Sequence, residues 1–267
     1  RTTFAAEIEF EHVKEVYIEQ AFLNYKINDF INLKTGLILS PMGIINSYHE
    51  PTTFNGVERP NMDKYIIPST WREIGVGIHG ILLDANLGYQ LYVINGFNGY
   101  DGEGGKFSGE KGLRSGRQKG AESYMSSPNF TGKIDYFGLP NLKIGLATYF
   151  GNSQSTLFEN DSTVVGIMMM GADFRYLKKS FQMRGQYIMT KLSNTNQYNT
   201  FTGKDLGSKM NGYYFELGYD VMSIINRNSK TKLVAFSRYE SYNTHAATEG
   251  TVELNDAYKR DEMTIGL

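Results

Sequence analysis

The stretch NGYYFELGYD, residues 211–220, decides the fold. Tyr213, Phe215, Leu217 and Tyr219 alternate with Tyr214, Glu216, Gly218 and Asp220. Successive side chains of a β-strand point to opposite faces, so this segment has one greasy face and one wet face. The same period recurs in both directions along the chain. Phe181, Met183, Tyr187 and Met189 alternate with Gln182, Arg184 and Gln186. Phe130, Ile134 and Tyr136 alternate with Thr131, Lys133 and Asp135. Ile74, Val76 and Ile78 alternate with Glu73, Gly75, Gly77 and His79; Ile31, Leu33, Leu37 and Leu39 alternate with Asn32, Lys34, Gly36 and Ser40. Near the start, Phe4, Ala6, Ile8 and Phe10 alternate with Glu7, Glu9 and Glu11. Only Val16 to Ile27 refuses to sort, because each of its faces mixes polar and apolar residues. The reading is about a dozen strands with almost no amphipathic helix.

The connections carry a rhythm. Short breaks of turn chemistry fall at Asn28-Asp29, Asp84-Ala85-Asn86, Gly138-Leu139-Pro140-Asn141, Lys178-Lys179 and Asn226-Arg227-Asn228-Ser229. Long connections lie between them, at 41–71, 98–128, 152–162, 193–208 and 243–260. A soluble sandwich has no reason to alternate short and long. A transmembrane barrel does, since its turns are short on one side of the membrane and its loops long on the other.

Composition narrows the classes. The 267 residues contain no cysteine, which excludes a disulfide scaffold, a thiol nucleophile and a cysteine-ligated metal. A net charge of −1 leaves no electrostatic footprint for nucleic acid. There is no run of about 18 apolar residues, so no membrane-spanning helix is expected. A spanning strand needs only about ten residues, half of which can be polar. The 19 tyrosines, 16 phenylalanines and 29 glycines suit such strands. The first residue is Arg1 rather than Met, and the last residues, Met263 to Leu267, read as strand, so the sequence is expected to be part of a longer chain.

Backbone N–H and C=O groups cannot stay unpaired in hydrocarbon, so strands cross a membrane only as a closed barrel. The expected fold is therefore all-β: a transmembrane antiparallel β-barrel, with residues 1–267 as a single outer-membrane domain. The competing architecture is a soluble lipocalin-like barrel or a stacked sandwich, in which the apolar face would point inward.

The stretch from Lys34 to Asn98 resembles the phosphate-selective porin O and P family, in the form common in Bacteroidetes outer membranes. The residues that carry the resemblance are KTGLILSPMGIIN (34–46), FNGVERP (54–60), PSTWREIGVGIHG (68–80) and LGYQLYVINGFNG (87–99). NGYYFELGY (211–219) and KLVAFSRYESYN (232–243) match more weakly. The resemblance implies a barrel of about sixteen strands, trimeric in well-known members, with a lumen narrowed by a long inward loop. It implies passage of anions.

The charges depart from that pattern. Anion selectivity needs fixed positive partners along the pore. The inferred lumen face holds Lys34, Lys133, Arg175, Arg184 and Arg238, but also Glu7, Glu9, Glu11, Glu73, Asp135, Asp173, Glu216, Asp220 and Glu240. Asp173 with Arg175, and Arg238 with Glu240, are expected to pair and stiffen the wall. The porin architecture is carried over; phosphate selectivity is not. The expected pore-lining residues are Lys34, Glu73, Lys133, Arg184, Glu216 and Arg238.

The connection 41–71, with His49, Glu50, Glu58, Arg59, Asp63 and Lys64, is the expected constriction, with Glu58 and Arg59 lining it. Its bland alternative is an ordered extracellular cap. The connection 98–128 is rich in glycine and carries Lys106, Lys111, Arg114, Arg117 and Lys119. It has no G-x-x-x-x-G-K-[ST], so a mobile extracellular loop attracting lipopolysaccharide phosphates is expected rather than a nucleotide cradle. His12, His49, His79 and His245 are scattered, which gives no metal site; His79 reads as a polar lumen residue. Glu7, Glu9 and Glu11 are about 6.5–7 Å apart on one strand face, more a wetted wall than paired acid–base groups. In Met168-Met169-Met170, two of the three share the lipid face. No G-x-S-x-G and no Ser-His-Asp arrangement is present, so no enzyme and no cofactor are expected.

The function expected from the sequence is that of a bacterial outer-membrane porin: passive diffusion of small polar or ionic solutes through a water-filled barrel. Its partners would be membrane lipids and lipopolysaccharide, with assembly as a homotrimer or in a larger outer-membrane complex. Two alternatives come from other classes. One is a structural barrel that docks in an assembly and conducts little. The other is a soluble secreted β-protein that binds glycans through exposed tyrosines and Trp71.

Overall fold

A computed structural model describes residues 1–11, 15–47, 54–120, 123–226 and 230–267. It holds fourteen strands: β1 (Thr2–Glu11), β2 (Glu15–Lys26), β3 (Asn32–Leu39), β4 (Arg72–Leu82), β5 (Leu87–Ile94), β6 (Asn98–Tyr100) and β7 (Asn129–Leu139). These are followed by β8 (Leu142–Asn152), β9 (Gln154–Ser155), β10 (Gly166–Lys178), β11 (Phe181–Ser193), β12 (Lys209–Asp220), β13 (Val234–Ala247) and β14 (Lys259–Gly266). Four short helices sit in connections: α1 (Ile44–Ser47), α2 (Met62–Tyr65), α3 (Thr195–Thr202) and α4 (Met222–Ile225). None of the helices described is long and apolar enough to cross a membrane.

Twelve strands form one sheet in sequence order, every neighbour antiparallel. Only β6 and β9 stand apart, as a small parallel pair among the long loops. The fold is all-β, as the alternation indicates. The sheet is open rather than a completed ring: β1 and β14 are its two edges.

The expected turns fall where Asn and Lys can adopt left-handed backbone: Asn86 after β4, Asn141 after β7 and Lys179 after β10, with φ of 52°, 64° and 54°. The strand before Pro140-Asn141 runs on to Leu139, so that turn is tighter than the four residues the composition marks out. The turn around 227–229 lies outside the described residues, as do His12, His49 and Glu50.

The segment that refused to sort is β2, and the register explains why. Glu7 pairs with Gln20 while its neighbour Ile8 pairs with Ile18, leaving Glu19 as the extra residue of a bulge. One extra residue swaps the faces. Val16 and Ile18 point outward before it, Leu23 and Tyr25 after it.

Burial is inverted relative to a soluble sandwich. Phe4 (68% exposed), Val76 (45%) and Tyr187 (48%) face outward with Leu91, Phe130, Leu146, Tyr213 and Met263. Facing the interior are Lys133, Asp173, Gln186, Glu216, Arg238 and Glu240, all buried. The methionine run obeys the same rule: Met168 and Met170 are exposed and Met169 is buried.

The interior is not uniformly polar. At the long-loop end, Trp71, Phe97, Phe107, Tyr149 and Tyr198 form an aromatic core with Ile38, Met42, Ile44, Met62 and Met210. Trp71 stacks on Phe97 at 4.2 Å and meets Tyr149 edge-on at 4.9 Å. Trp71 has no exposed surface, so it is not available to stack on a glycan.

Candidate lumen and inward loop

The cross-strand register sorts the inner-face charges into two rows. Asp135, Gly145, Asp173, Gln186, Tyr214, Glu240 and Glu262 stand side by side from β7 to β14. Two residues nearer the short turns, Lys143, Arg175, Arg184, Glu216, Arg238 and Thr264 form the next row. The first row carries carboxylates and no cation; the second carries cations and one carboxylate. Counting charges along the chain does not show this, because the register between strands sets the rows. Lys143 escaped the sequence reading, although the alternation of Leu142, Ile144 and Leu146 marks it as inward.

Adjacent rows pair. Arg184 lies 2.7 Å from Glu216, which Arg238 also approaches at 3.5 Å. Lys133 lies 2.6 Å from Asp173 and 3.8 Å from Asp135, and Lys143 is 3.0 Å from Asp135. Asp173 thus meets Lys133 of β7, and Arg238 meets Glu216 of β12.

The connection 41–71 lies on this face. Ile44 N–H donates to Gln186 Oε1 at 2.6 Å, and Gln186 Nε2 donates to Asp63 Oδ1 at 2.7 Å. Lys133 Nζ donates to the carbonyl of Gly43 at 3.1 Å. Gly43 has φ +71°, and a Cβ there would come 2.8 Å from the Gln186 amide, so glycine lets the chain pass this close. Farther along, Asn55 Nδ2 donates to Glu216 (2.8 Å), Met62 N–H to Glu240 (3.1 Å), and Arg238 to the carbonyl of Glu58 (3.2 Å). The wall charges are the loop's docking points.

The expected pore-lining residues are therefore not equivalent. Lys34 is half-buried, its ammonium 3.7 Å above the ring of Phe22. Lys133, Arg184, Glu216 and Arg238 face inward and are engaged in ion pairs or with the loop. Glu73 faces inward too, but is covered: it accepts from Trp71 Nε1 at 3.0 Å and from Gln118 N–H at 3.4 Å. It anchors loops rather than presenting a carboxylate to an open lumen. Glu58 is exposed, and the Arg59 guanidinium lies 5.8 Å from the Phe54 ring. Asp220 closes the end of β12 by accepting from Met222 N–H (3.2 Å) and Leu233 N–H (3.0 Å), so it is a turn cap rather than lumen wall. His79 faces inward against Asn24 Oδ1 at 2.7 Å.

The connection 98–128 is not the free loop its glycines led us to expect. Phe107 and Leu113 are fully buried, Phe107 N–H donates to Tyr198 Oη, and Arg117 donates to the Ser69 carbonyl. Glycines here permit close packing: a Cβ at Gly116 would come 2.4 Å from the Phe107 ring. The two apolar anchors were the missed signal. Neighbouring loops join the cap: Tyr258 Oη and Gly109 N–H both donate to Asp205, and His245 Nε2 lies 2.6 Å from the Asp205 carbonyl.

Two recesses open beside the docked loop. One, of about 530 Å³ at the short-turn end, is lined by Lys143, Arg175, Arg184, Gln182 and Glu216. The other, of about 170 Å³, is lined by Gln20, Lys34, Ser40, Pro41, Gln90 and Asp135. No group of acidic or histidine side chains among the described residues is arranged to hold a metal ion.

No protein-family model matches the chain. A protein of Aquifex aeolicus (strain VF5), described as uncharacterized, is 31% identical over 266 residues, covering 94% of this chain. This chain spans 59% of that relative's length. Among solved structures, an anion-selective porin from Comamonas acidovorans superposes with a TM-score of 0.57 at 12% identity, over 90% of this chain and 63% of its own. At that identity the likeness is one of fold: the twelve-stranded sheet is porin-like.

Proposed function

We propose that the chain is part of an outer-membrane porin that passes small polar or ionic solutes by diffusion, with the 41–71 loop narrowing the lumen. The observation that carries the reading is the inverted burial, with Phe4, Val76 and Tyr187 outside and Lys133, Asp173, Arg238 and Glu240 inside. An apolar exterior is stable only against hydrocarbon, and a charged interior only where partners or water meet it. Unpaired strand edges have no partner in hydrocarbon, so β1 and β14 must be paired in the membrane, by each other or by strands of the longer protein. Membership of the phosphate-selective porin O and P family rests on the motifs between Lys34 and Asn98. The carboxylate row argues against carrying its phosphate selectivity across. No covalent chemistry is assigned to the lumen.

A second reading has its own observation. The aromatic core around Trp71 and Phe97 fills the long-loop end, which favours a structural barrel that docks in an assembly and conducts little. Planar-bilayer recording in a salt gradient separates the two. Discrete conductance steps support the porin, and the sign of the reversal potential reads which charge row governs. Stable insertion without conductance supports the structural barrel.

A further inference from the structure

We infer that the outer face of the sheet carries a headgroup site for a phosphorylated glycolipid of the outer leaflet, centred on Lys191 and Lys209. The inference rests on the porin reading, which places the long-loop end in that leaflet. It seats one lipid on the strands themselves rather than on the cations of the 98–128 loop.

Lys191 of β11 and Lys209 of β12 stand directly opposite each other. Their chain neighbours Leu192 and Met210 are buried on the inner face, so both lysines point outward. Among the described residues neither ammonium makes an ion pair or a hydrogen bond. Like charges directly opposite on one sheet face repel and weaken the strand pair. An anion held between them reverses that cost. The outward positions of β8, β10, β11 and β12 supply no carboxylate for the task. Asp173 and Glu216 are buried on the inner face, and Asp220 caps the turn after β12.

Depth and shape set the class of ligand. Tyr187 and Tyr213, both exposed, also stand opposite each other. Tyrosine collects where hydrocarbon meets headgroups. The lysines lie four residues farther toward the long loops, about 13 Å along the strands, at the level of lipid phosphates. Beside Lys191 an open groove of about 490 Å³ runs over Gly151, Asn152, Gly166, Met168 and Ser193. Glycine at 166 leaves the space, since a Cβ there would come 2.3 Å from Ser193 Oγ. The groove is roomier than one phosphate needs, and the exposed Asn152 and Ser193 offer hydrogen bonds to sugar hydroxyls. Exposed Phe150, Met168 and Met170 border it with an apolar surface for acyl chains. A headgroup that joins phosphate to sugar matches the lysine pair and the groove together. A phosphatidylethanolamine headgroup would bring its own ammonium toward the lysines.

The test is native mass spectrometry of the full-length protein in detergent, titrated with bis-phosphorylated lipid A or with phosphatidylglycerol, and with inorganic phosphate as competitor. The expected result is one tightly held lipid A. The double variant Lys191→Gln with Lys209→Gln should bind it about 30-fold more weakly, the worth of two lysines at an anionic lipid surface. Lys179→Gln, in the turn after β10, should bind it as the wild type does. Equal binding by the double variant overturns the inference. So does phosphatidylglycerol held as tightly as lipid A, which marks an unspecific belt of anionic lipid. Displacement of lipid A by inorganic phosphate overturns it too, because it marks an ion site. Should the double variant fail to fold, Lys191→Gln and Lys209→Gln singly decide: a loss of about fivefold in each supports the site, and none refutes it. Planar-bilayer recording keeps the porin reading separate. Wild-type protein that conducts in discrete steps but holds no lipid A sinks this inference alone; protein that neither holds lipid A nor inserts sinks both.

Discussion

Lys133 reaches across an entire strand to Asp173: Nζ lies 2.6 Å from Oδ2, although β7 and β10 are separated by β8. Gly145 on β8 makes the reach possible. A Cβ there would come 2.7 Å from both the Asp173 carboxylate and the Lys133 Cε. Both charged side chains are almost wholly buried, so the pair is shielded from bulk solvent. The same Lys133 also holds the Gly43 carbonyl, which ties wall to loop at one atom.

Gly145→Val is therefore expected to destabilise the sheet, although valine is the better strand residue. The branched side chain would force the buried pair apart. Removing one partner of such a pair costs about 3–5 kcal/mol, whereas replacing both by apolar residues is far milder. The measurement is the urea midpoint of folding into lipid vesicles for Gly145→Val, Lys133→Met and the double variant Lys133→Met with Asp173→Leu. A double variant as unstable as the single one would sink the argument.

Gln186 is a clamp for the inward loop, because its one amide accepts from Ile44 N–H and donates to Asp63. Gln186→Leu fills the space and removes both bonds. Each buried group left unpaired costs about 1–3 kcal/mol. The loop should undock while the sheet stays intact. Limited proteolysis within 41–71 should become faster, and single-channel conductance should rise. Unchanged cleavage and conductance would show that the loop is held by its apolar residues alone.

Docking of the loop is expected to weaken as pH rises. Burial pushes the Asp63 carboxyl up to about 7, against the Gln186 hydrogen bond that pulls it down; the carboxylates of Glu240 and Asp173 add to the rise and Arg238 opposes it. An undocked Asp63 titrates near its ordinary value of 3.8. Between those values the docked state binds the extra proton, so stability is greatest below about pH 4 and is lost as pH climbs toward 7. Cleavage of the loop measured from pH 5 to 8 should accelerate in the wild type. In Asp63→Asn the dependence should flatten.

The fold was legible because the strands other than β2 sort their residues by face, and a lipid-facing barrel and a soluble core both produce that sorting. What alternation cannot state is which face is inside, and here Glu216 and Tyr213 answer only once burial is seen. Register was out of reach for a different reason. The pairing of Lys133 with Asp173 depends on how three strands slide past one another and on a missing side chain at Gly145. Glu19 shows the cost of a single inserted residue: it scrambled the faces of Val16 to Ile27 until the bulge was located. Loop 98–128 misled because glycine was read as freedom. Phe107 and Leu113 turn the same glycines into close contacts.

Leu146 tests the orientation of the whole sheet. It is 61% exposed on β8, between Ile134 and Ala172 on the neighbouring strands. On a water-facing surface Leu146→Arg would be nearly neutral, since surface substitutions usually change stability by less than about 0.5 kcal/mol. Facing lipid near the middle of the bilayer, the same arginine costs about 2–4 kcal/mol, falling toward zero at the interfaces. Arginine scanning down the outward positions Leu146, Ile144 and Leu142 should therefore show a penalty that changes with depth. Folding into vesicles of defined thickness, followed by urea titration, supplies the numbers. A flat profile near zero would mean that the outer face meets water, and the porin reading would fall with it.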